Sequence, residues 1–340
     1  MRTLAREYAS GLRALGHEVL LVTSDQHPQK VEALDWEIVL DPRPKRPQTW
    51  PIHMRESRRI KRFDADIVVT ELVRDPRWIA LCAGIPRVDV VHDDRPHDAG
   101  ERRPAWERAL FGAWNSRADT TLCFSEYVAQ AIARDRANVE VVPLASDITD
   151  ADFTAVVSAA QRRDFIMLGR LNEYKNIDVV LRAWEQHRKS PSYRGDILRF
   201  FGAGEQILDL PDDVWWNGGS YDHGDVIPSL MRAKGSLAHY RVATQSGVQV
   251  LSMQAGVMPI VSTEGALPEF QPPEGPVIDK DDVAELARAF DSLADPLTAA
   301  LAGGRARQHY GDTYAVSHAA VQLQDVLSEV VARASRGKDR

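Results

Sequence analysis

From end to end this chain alternates short apolar runs with stretches of helical periodicity, and that alternation restricts it to few architectures. Parallel strands cannot be joined by tight hairpins. They need crossovers of about a dozen residues or more, usually helical, so alternation of this kind predicts parallel sheets built from βαβ units. In the first half the strand-like runs are VLLVT (19–23), DIVVT (66–70), RVDVV (87–91), DTTLCF (119–124) and VEVVP (139–143). Ser125 is suited to cap a short helix after the fourth of these. A second series follows the polar stretch 146–164: FIMLG (165–169), ILRFFG (197–202), VWW (214–216), GSLAHY (235–240), MPIVST (258–263) and PVI (276–278). At 340 residues the chain accommodates two such domains, here read as 1–150 and 151–314. A closing helical stretch, 315–340, is free to pack back on the first domain.

The first half lacks one part. A doubly wound domain opens with a strand and a glycine-rich turn, and that strand is central in the sheet. Here a helix over residues 1–15 comes first and ends at Gly16. The reading is therefore of a domain without its first strand, either truncated or with a true start upstream of Met1.

The net charge of −7 argues against a general nucleic-acid binder. No apolar stretch reaches the length of a membrane span, and nothing reads as a secretory signal. The two cysteines, Cys82 and Cys123, sit among apolar residues and predict packing rather than a disulfide framework, which points to the cytoplasm.

The sharpest chemical signal is LGRLNEYKNIDVVLRAW (168–184). Arg170 and Lys175 bracket a loop at the C-terminal end of a strand, where open α/β sheets bind ligands. With the N-terminus of the following helix they can hold a diphosphate. The alternative is two solvated loop charges. Gly202 and Gly204 form a second turn after a strand, for which tight-turn geometry is an equal explanation. Trp215 and Trp216 read as strand packing. Asp64 and Asp66 have the spelling of a metal site but lead straight into an apolar strand. Asp93, Asp94, His97 and Asp98 are a better ligand cluster by composition, without the spacing of a zinc site. Arg95 joins them as a solvated loop. Between 43 and 62, the eight basic residues Arg43, Lys45, Arg46, Arg55, Arg58, Arg59, Lys61 and Arg62 face one acid, Glu56. They form either a solvated helix face or a contact to anionic lipid on the inner face of a membrane.

The string GRLNEYKN resembles the corresponding segment of glycosyltransferase family four. RALGHEVLLVT (13–23), VDVVHDDRPHD (88–98), SRADTTLCFSEYVAQ (116–130), FFGAGEQ (200–206), AGVMPIVSTEGALPEF (255–270) and PVIDKDDVAELARAF (276–290) resemble other parts of that family in the same order. The resemblance implies an α/β chain of the GT-B fold, two Rossmann-like domains facing across a cleft, with an acceptor-side first domain and a donor-binding second. It implies a retaining, metal-independent enzyme without a cofactor, serving polysaccharide or glycolipid assembly. Its partners are then a nucleoside diphosphate sugar and a hydroxyl acceptor. Arg170 and Lys175 match the cations that stabilise the departing diphosphate, and His92 a histidine at the sugar or acceptor. Gly169, Gly202, Gly204, Ser246, Gly247 and Val248 match the donor-binding turns.

The chain departs from that family at HYRVATQSGVQVLSMQAG (239–256). Thr244 and Ser252 stand where a pair of glutamates is usual. Ser252 is suited only to a short neutral contact with the donor, and Thr244 carries no charge. This departure leaves two rivals open: a non-catalytic sugar-nucleotide-binding scaffold, and a sugar-nucleotide epimerase.

Overall fold

The structure is a computed structural model that describes residues 2–24, 32–40, 47–93, 104–153, 157–204, 210–221 and 223–338. It divides into two compact units, residues 1–147 with 316–340, and residues 148–315.

The first unit opens on helix Arg2–Ala14, whose Leu4, Tyr8 and Leu12 recur at helical spacing and are buried. Strand β1, Leu21–Ser24, follows and pairs in parallel with β2, Glu37–Leu40. Strand β2 is not among the runs predicted from hydropathy, because an acid opens it. The fold buries that acid and satisfies it. Arg2 Nε donates to Glu37 Oε1 at 2.7 Å, Thr23 Oγ1 to the same oxygen at 3.0 Å, and Arg6 Nε to Oε2 at 3.1 Å.

Burial pushes the Glu37 carboxyl up, but the hydrogen bonds from Arg2, Arg6, the Leu34 N–H and Thr23 outweigh it and hold the group at about 2. The folded value lies below the ordinary 4.5. The resulting stability is therefore present above that value and disappears as pH falls toward 2. Glu37→Gln is expected to cost about 3 kcal/mol at neutral pH. Urea unfolding of both chains at pH 7 and pH 3 checks this: the gap between them should narrow in acid.

The other four strands of this unit, β3 (Val68–Glu71), β4 (Arg87–Val90), β5 (Thr120–Cys123) and β6 (Val139–Val141), form a separate parallel sheet in that order. Strand β3 is at one edge of that sheet, and its Val69 is 43% exposed. Ser125 does cap helix Glu126–Ile132, its Oγ accepting from Val128 N. Helix Val316–Lys338 returns to this unit. It packs on the first helix so closely that a Cβ on Gly11 would stand 2.6 Å from Ala320 Cβ.

The second unit carries β7 (Phe165–Leu168), β8 (Leu198–Phe201), β9 (Val214–Asn217), β10 (Gly235–Ala238), β11 (Pro259–Ser262) and β12 (Val277–Ile278). They form one parallel sheet in the order β12-β11-β10-β7-β8-β9. From β9 inward this is third, second, first, fourth, fifth, sixth, the doubly wound order, with its switch point between β7 and β10. All four residues of β7 are buried, as their unbroken apolar run requires.

On one side of that sheet Trp184 is fully buried between Phe165 and Phe290, with ring centroids at 5.8 and 5.2 Å. Its Nε1 donates to Asp213 Oδ2 at 2.8 Å. Trp184→Ala removes both the packing and that hydrogen bond. A loss of about 3–5 kcal/mol is expected, read as a lower unfolding midpoint.

Candidate functional site

Each of two strands flanking the switch point sends a loop to the C-terminal edge of the sheet. After β7 the chain turns at Gly169, whose φ of +101° suits glycine. Gly169 N donates to Phe201 O at 3.0 Å, and Leu171 N to Ala203 O at 2.8 Å, which laces this loop to the one after β8. The two glycines of that second loop are there for space. A Cβ on Gly202 would lie 2.0 Å from Gly169 O, and one on Gly204 2.3 Å from Leu171 O. Trp216 belongs to this arrangement, since its Nε1 donates to Gly202 O at 2.9 Å. Glu205 and Gln206 lie outside the described residues.

The two cations part company here. Arg170 is exposed. Lys175 is only 3% exposed, which a solvated loop charge would not be. Asn176 follows it at φ +58°, a left-handed position that asparagine tolerates, and the chain then enters helix Ile177–Arg188. That turn lets Lys175 point back under Gly169. Its Nζ donates to Leu168 O at 3.1 Å and to the Tyr240 hydroxyl at 2.7 Å, and lies 3.9 Å from the centroid of the Tyr240 ring. Among the described residues no carboxylate reaches it within salt-bridge distance. Burial accordingly lowers its pKa to about 8, with only a small opposing pull from Tyr174.

The loop after β10 supplies the rest. Ser246 caps helix Gly247–Gln254, accepting from Gln249 N at 3.3 Å. The first-turn N–H groups of Gly247 and Val248 have no partner within the helix. Gly247 is exposed and Val248 half-buried. Thr244 is buried, and its carbonyl accepts from Ala266 N at 3.3 Å. Ser252 is fully buried one turn into the helix, where its Oγ donates to Val248 O at 2.7 Å. A backing loop within the stretch 255–270 has no role assigned from the sequence: Gly265, at φ +58°, would put a Cβ 1.8 Å from Ala243 O. Tyr240 is missed for a similar reason, as the last residue of an apolar run.

The structure thus brings Gly169, Arg170, Lys175, Gly202, Gly204, Ser246, Gly247 and Val248 to one edge of one unit. His92 belongs to the other unit and stands apart from them in sequence and sheet. It follows β4, is 8% exposed, and its Nε2 meets Glu71 Oε1 of the neighbouring β3 at 2.7 Å. Its ring packs against Phe124 at 4.9 Å. Neither partner is close to it in sequence, and so neither is legible there. Asp94, Arg95, His97 and Asp98 lie outside the described residues. Asp64 occupies the left-handed end of helix Trp50–Phe63.

Among the described residues, a deep cation without an acid and an exposed helix start lie at one switch point. Comparison with known proteins shows the family. Residues 1–150 match the family model Glycosyltransferase Family 4, and residues 162–295 match Glycosyl transferases group 1. The chain belongs to the family-four glycosyltransferases of GT-B fold, with two Rossmann-like halves, and is an enzyme of that class.

Among solved structures it is similar to a sucrose-phosphate synthase from Thermosynechococcus elongatus, with 18% identity over 97% of this chain and 93% of the other, at a TM-score of 0.72. A glycosyltransferase from Rickettsia africae shares 14% identity over 97% of this chain and 94% of its own, with a TM-score of 0.68. Anabaena HepE, solved in complex with UDP, shares 12% identity over 92% of this chain and all of its own, 100%, with a TM-score of 0.65. No curated protein sequence matches the chain.

Proposed function

We propose that this chain moves a sugar from a nucleoside diphosphate sugar to a hydroxyl acceptor, with the donor held by the second unit and the acceptor by the first. The observation that carries this reading is the Lys175 ammonium, buried at the switch point with no carboxylate among the described residues to neutralise it. A charge kept in that condition needs an anionic ligand to offset its burial. HepE has been solved with UDP and with UDP-glucose, which supports the same class of donor here.

In the proposed reaction the C–O bond between sugar and diphosphate breaks as the acceptor oxygen bonds to the same carbon from the same face. The acceptor proton passes to the leaving phosphate oxygen. Negative charge grows on the diphosphate, and Lys175, Arg170 and the first-turn N–H groups of Gly247 and Val248 stabilise it. No metal or cofactor is required by this scheme. His92, held by Glu71, orients the sugar or the acceptor. Thr244 and Ser252 leave the donor hydroxyls without the usual carboxylates, so the phosphates provide most of the binding.

The test is incubation with a panel of nucleotide sugars. Release of nucleoside diphosphate, abolished in Arg170→Ala, Lys175→Met double-variant protein, supports transfer. Sugar interconversion without diphosphate release would establish the epimerase instead. If no nucleotide sugar or diphosphate raises the melting temperature, there is no donor site. The pH dependence follows from Lys175. It is charged below about 8, so affinity for UDP is expected to fall as pH rises through that value.

A second contact belongs to the same reading. No helix among the described residues is long and apolar enough to cross a membrane. Helix Trp50–Phe63 instead exposes Trp50, Ile52 and Met54 ahead of Arg55, Arg58, Arg59, Lys61 and Arg62. Arg43, Lys45 and Arg46 lie outside the described residues. This combination suits the interface of an anionic bilayer at the cytoplasmic face, where each basic residue contributes about 1 kcal/mol. Sedimentation with phosphatidylserine vesicles checks it: Arg58→Glu, Arg59→Glu, Lys61→Glu protein should remain in the supernatant.

A further inference from the structure

The buried lysine and the helix start are joined through one side chain, Tyr240. Its hydroxyl lies 2.7 Å from Lys175 Nζ and 3.4 Å from Ser246 Oγ. Tyr240 is 3% exposed and Ser246 5%, so solvent does not compete for these bonds.

The direction of hydrogen bonding along this line is set by chemistry. An ammonium has only donors. While Lys175 is charged, the Tyr240 oxygen must accept from it, and the phenol proton is left to point at Ser246 Oγ. Ser246 Oγ already accepts from Gln249 N at 3.3 Å, as the cap of helix Gly247–Gln254. With both acceptor positions of the serine oxygen used, its own proton is the one group left to give.

We propose that Tyr240 is a positioning residue that carries the polarity of Lys175 to Ser246, turning the Ser246 hydroxyl into a donor for a phosphate-bearing ligand at the start of helix Gly247–Gln254. This rests on the donor-site reading above and deepens it. Lys175 then acts on the ligand twice. It acts directly by its charge, beside Gly169, where a Cβ would lie 3.2 Å from Nζ. It also acts at a distance, through two hydroxyls whose bonds it orders. A neutral Lys175 can accept from the phenol, and the line then reverses, so that the Ser246 proton turns inward to Tyr240. The burial that lowers Lys175 and raises Tyr240 to about 12 makes the lysine the group that changes first. The phenol stays protonated throughout, as a relay requires.

Calorimetric titration with UDP tests this. Tyr240→Phe keeps the ring under the ammonium and removes only the hydroxyl. Ser246→Gly removes the serine hydroxyl but leaves a residue that caps helices nearly as well. Each is expected to weaken UDP binding about tenfold. Because they interrupt one line, the double variant should be no weaker than the worse single one. Tyr240→Phe should also bring the alkaline loss of affinity to lower pH, since the charged lysine has lost an acceptor. Purely structural roles would give multiplying losses and an unmoved pH profile, and either result overturns the relay. Melting temperatures close to the parent's confirm that the variants fold. If the parent chain binds no UDP, the donor-site reading falls and the relay with it. If the parent binds and the losses multiply, the relay alone falls.

Discussion

Lys175→Met is expected to make the protein harder to unfold while it destroys its activity. In the free protein the ammonium is buried and its pKa has dropped from 10.5 to about 8. That gap corresponds to about 3 kcal/mol by which burial of the charge opposes folding at pH 7. The sign follows from the folded value lying below the unfolded one. The penalty is full below about pH 8 and fades as pH rises toward 10.5. Methionine has nearly the same length and carries no charge. It forfeits the hydrogen bonds to Tyr240 and to Leu168 O, which returns about 1–2 kcal/mol of the gain. A net stabilisation of about 1–2 kcal/mol is left, measurable by urea unfolding at pH 7. Transfer should drop by about 100- to 1000-fold, the usual consequence of losing one preorganised donor at a developing oxyanion. A variant that is both less stable and inactive would show that Lys175 is a structural cation.

The second large effect is expected from one added methyl group. In Gly202→Ala the new Cβ would stand 2.0 Å from Gly169 O, at a backbone φ of +142°. Neither the carbonyl nor the dihedral can yield without moving the loop that carries Arg170. Gly169 N is tied to Phe201 O, and Trp216 Nε1 to Gly202 O, so the displacement spreads into β8 and β9. A cost of about 3 kcal/mol or more is expected, together with loss of UDP binding. Gly219→Ala serves as the comparison. It also has positive φ, +111°, but nothing lies within 4 Å of its added Cβ, and UDP binding there should be unaffected. Equal binding by both variants would remove Gly202 from the site.

What the sequence makes legible follows from how local each signal is. The strand FIML and the turn at Gly169 are adjacent in the chain, and so are Lys175 and the asparagine that aims it. Apolar runs and turn residues therefore locate most strands and the donor loop. Strand β2 escapes because Glu37 interrupts its hydropathy, and the arginines that neutralise it lie 35 and 31 residues away. Tyr240 escapes because a tyrosine at the end of a buried run is ordinarily packing. Its role comes from a lysine 65 residues earlier. The burial of Lys175 itself is a tertiary property, and no spacing in GRLNEYKN expresses it. Glu71 and His92 meet only because β3 and β4 are neighbours in register. Ser252 shows the limit of position alone: it aligns with a ligand-binding place, yet its hydroxyl is committed to Val248 O.

The return of helix Val316–Lys338 to the first unit bears on how the chain matures. The second unit, 148–315, is one uninterrupted stretch, complete once its last residue has been made. The first is not. Its helix Arg2–Ala14 is synthesised ahead of the second unit, but the surface that receives Gly11 is Ala320 and its neighbours, made after that unit. During synthesis the first-made half therefore waits with an apolar helix face uncovered, while the later-made half can already fold. A chain ended at residue 315 would carry every residue of the second unit but lack the helix that packs against Gly11 in the first.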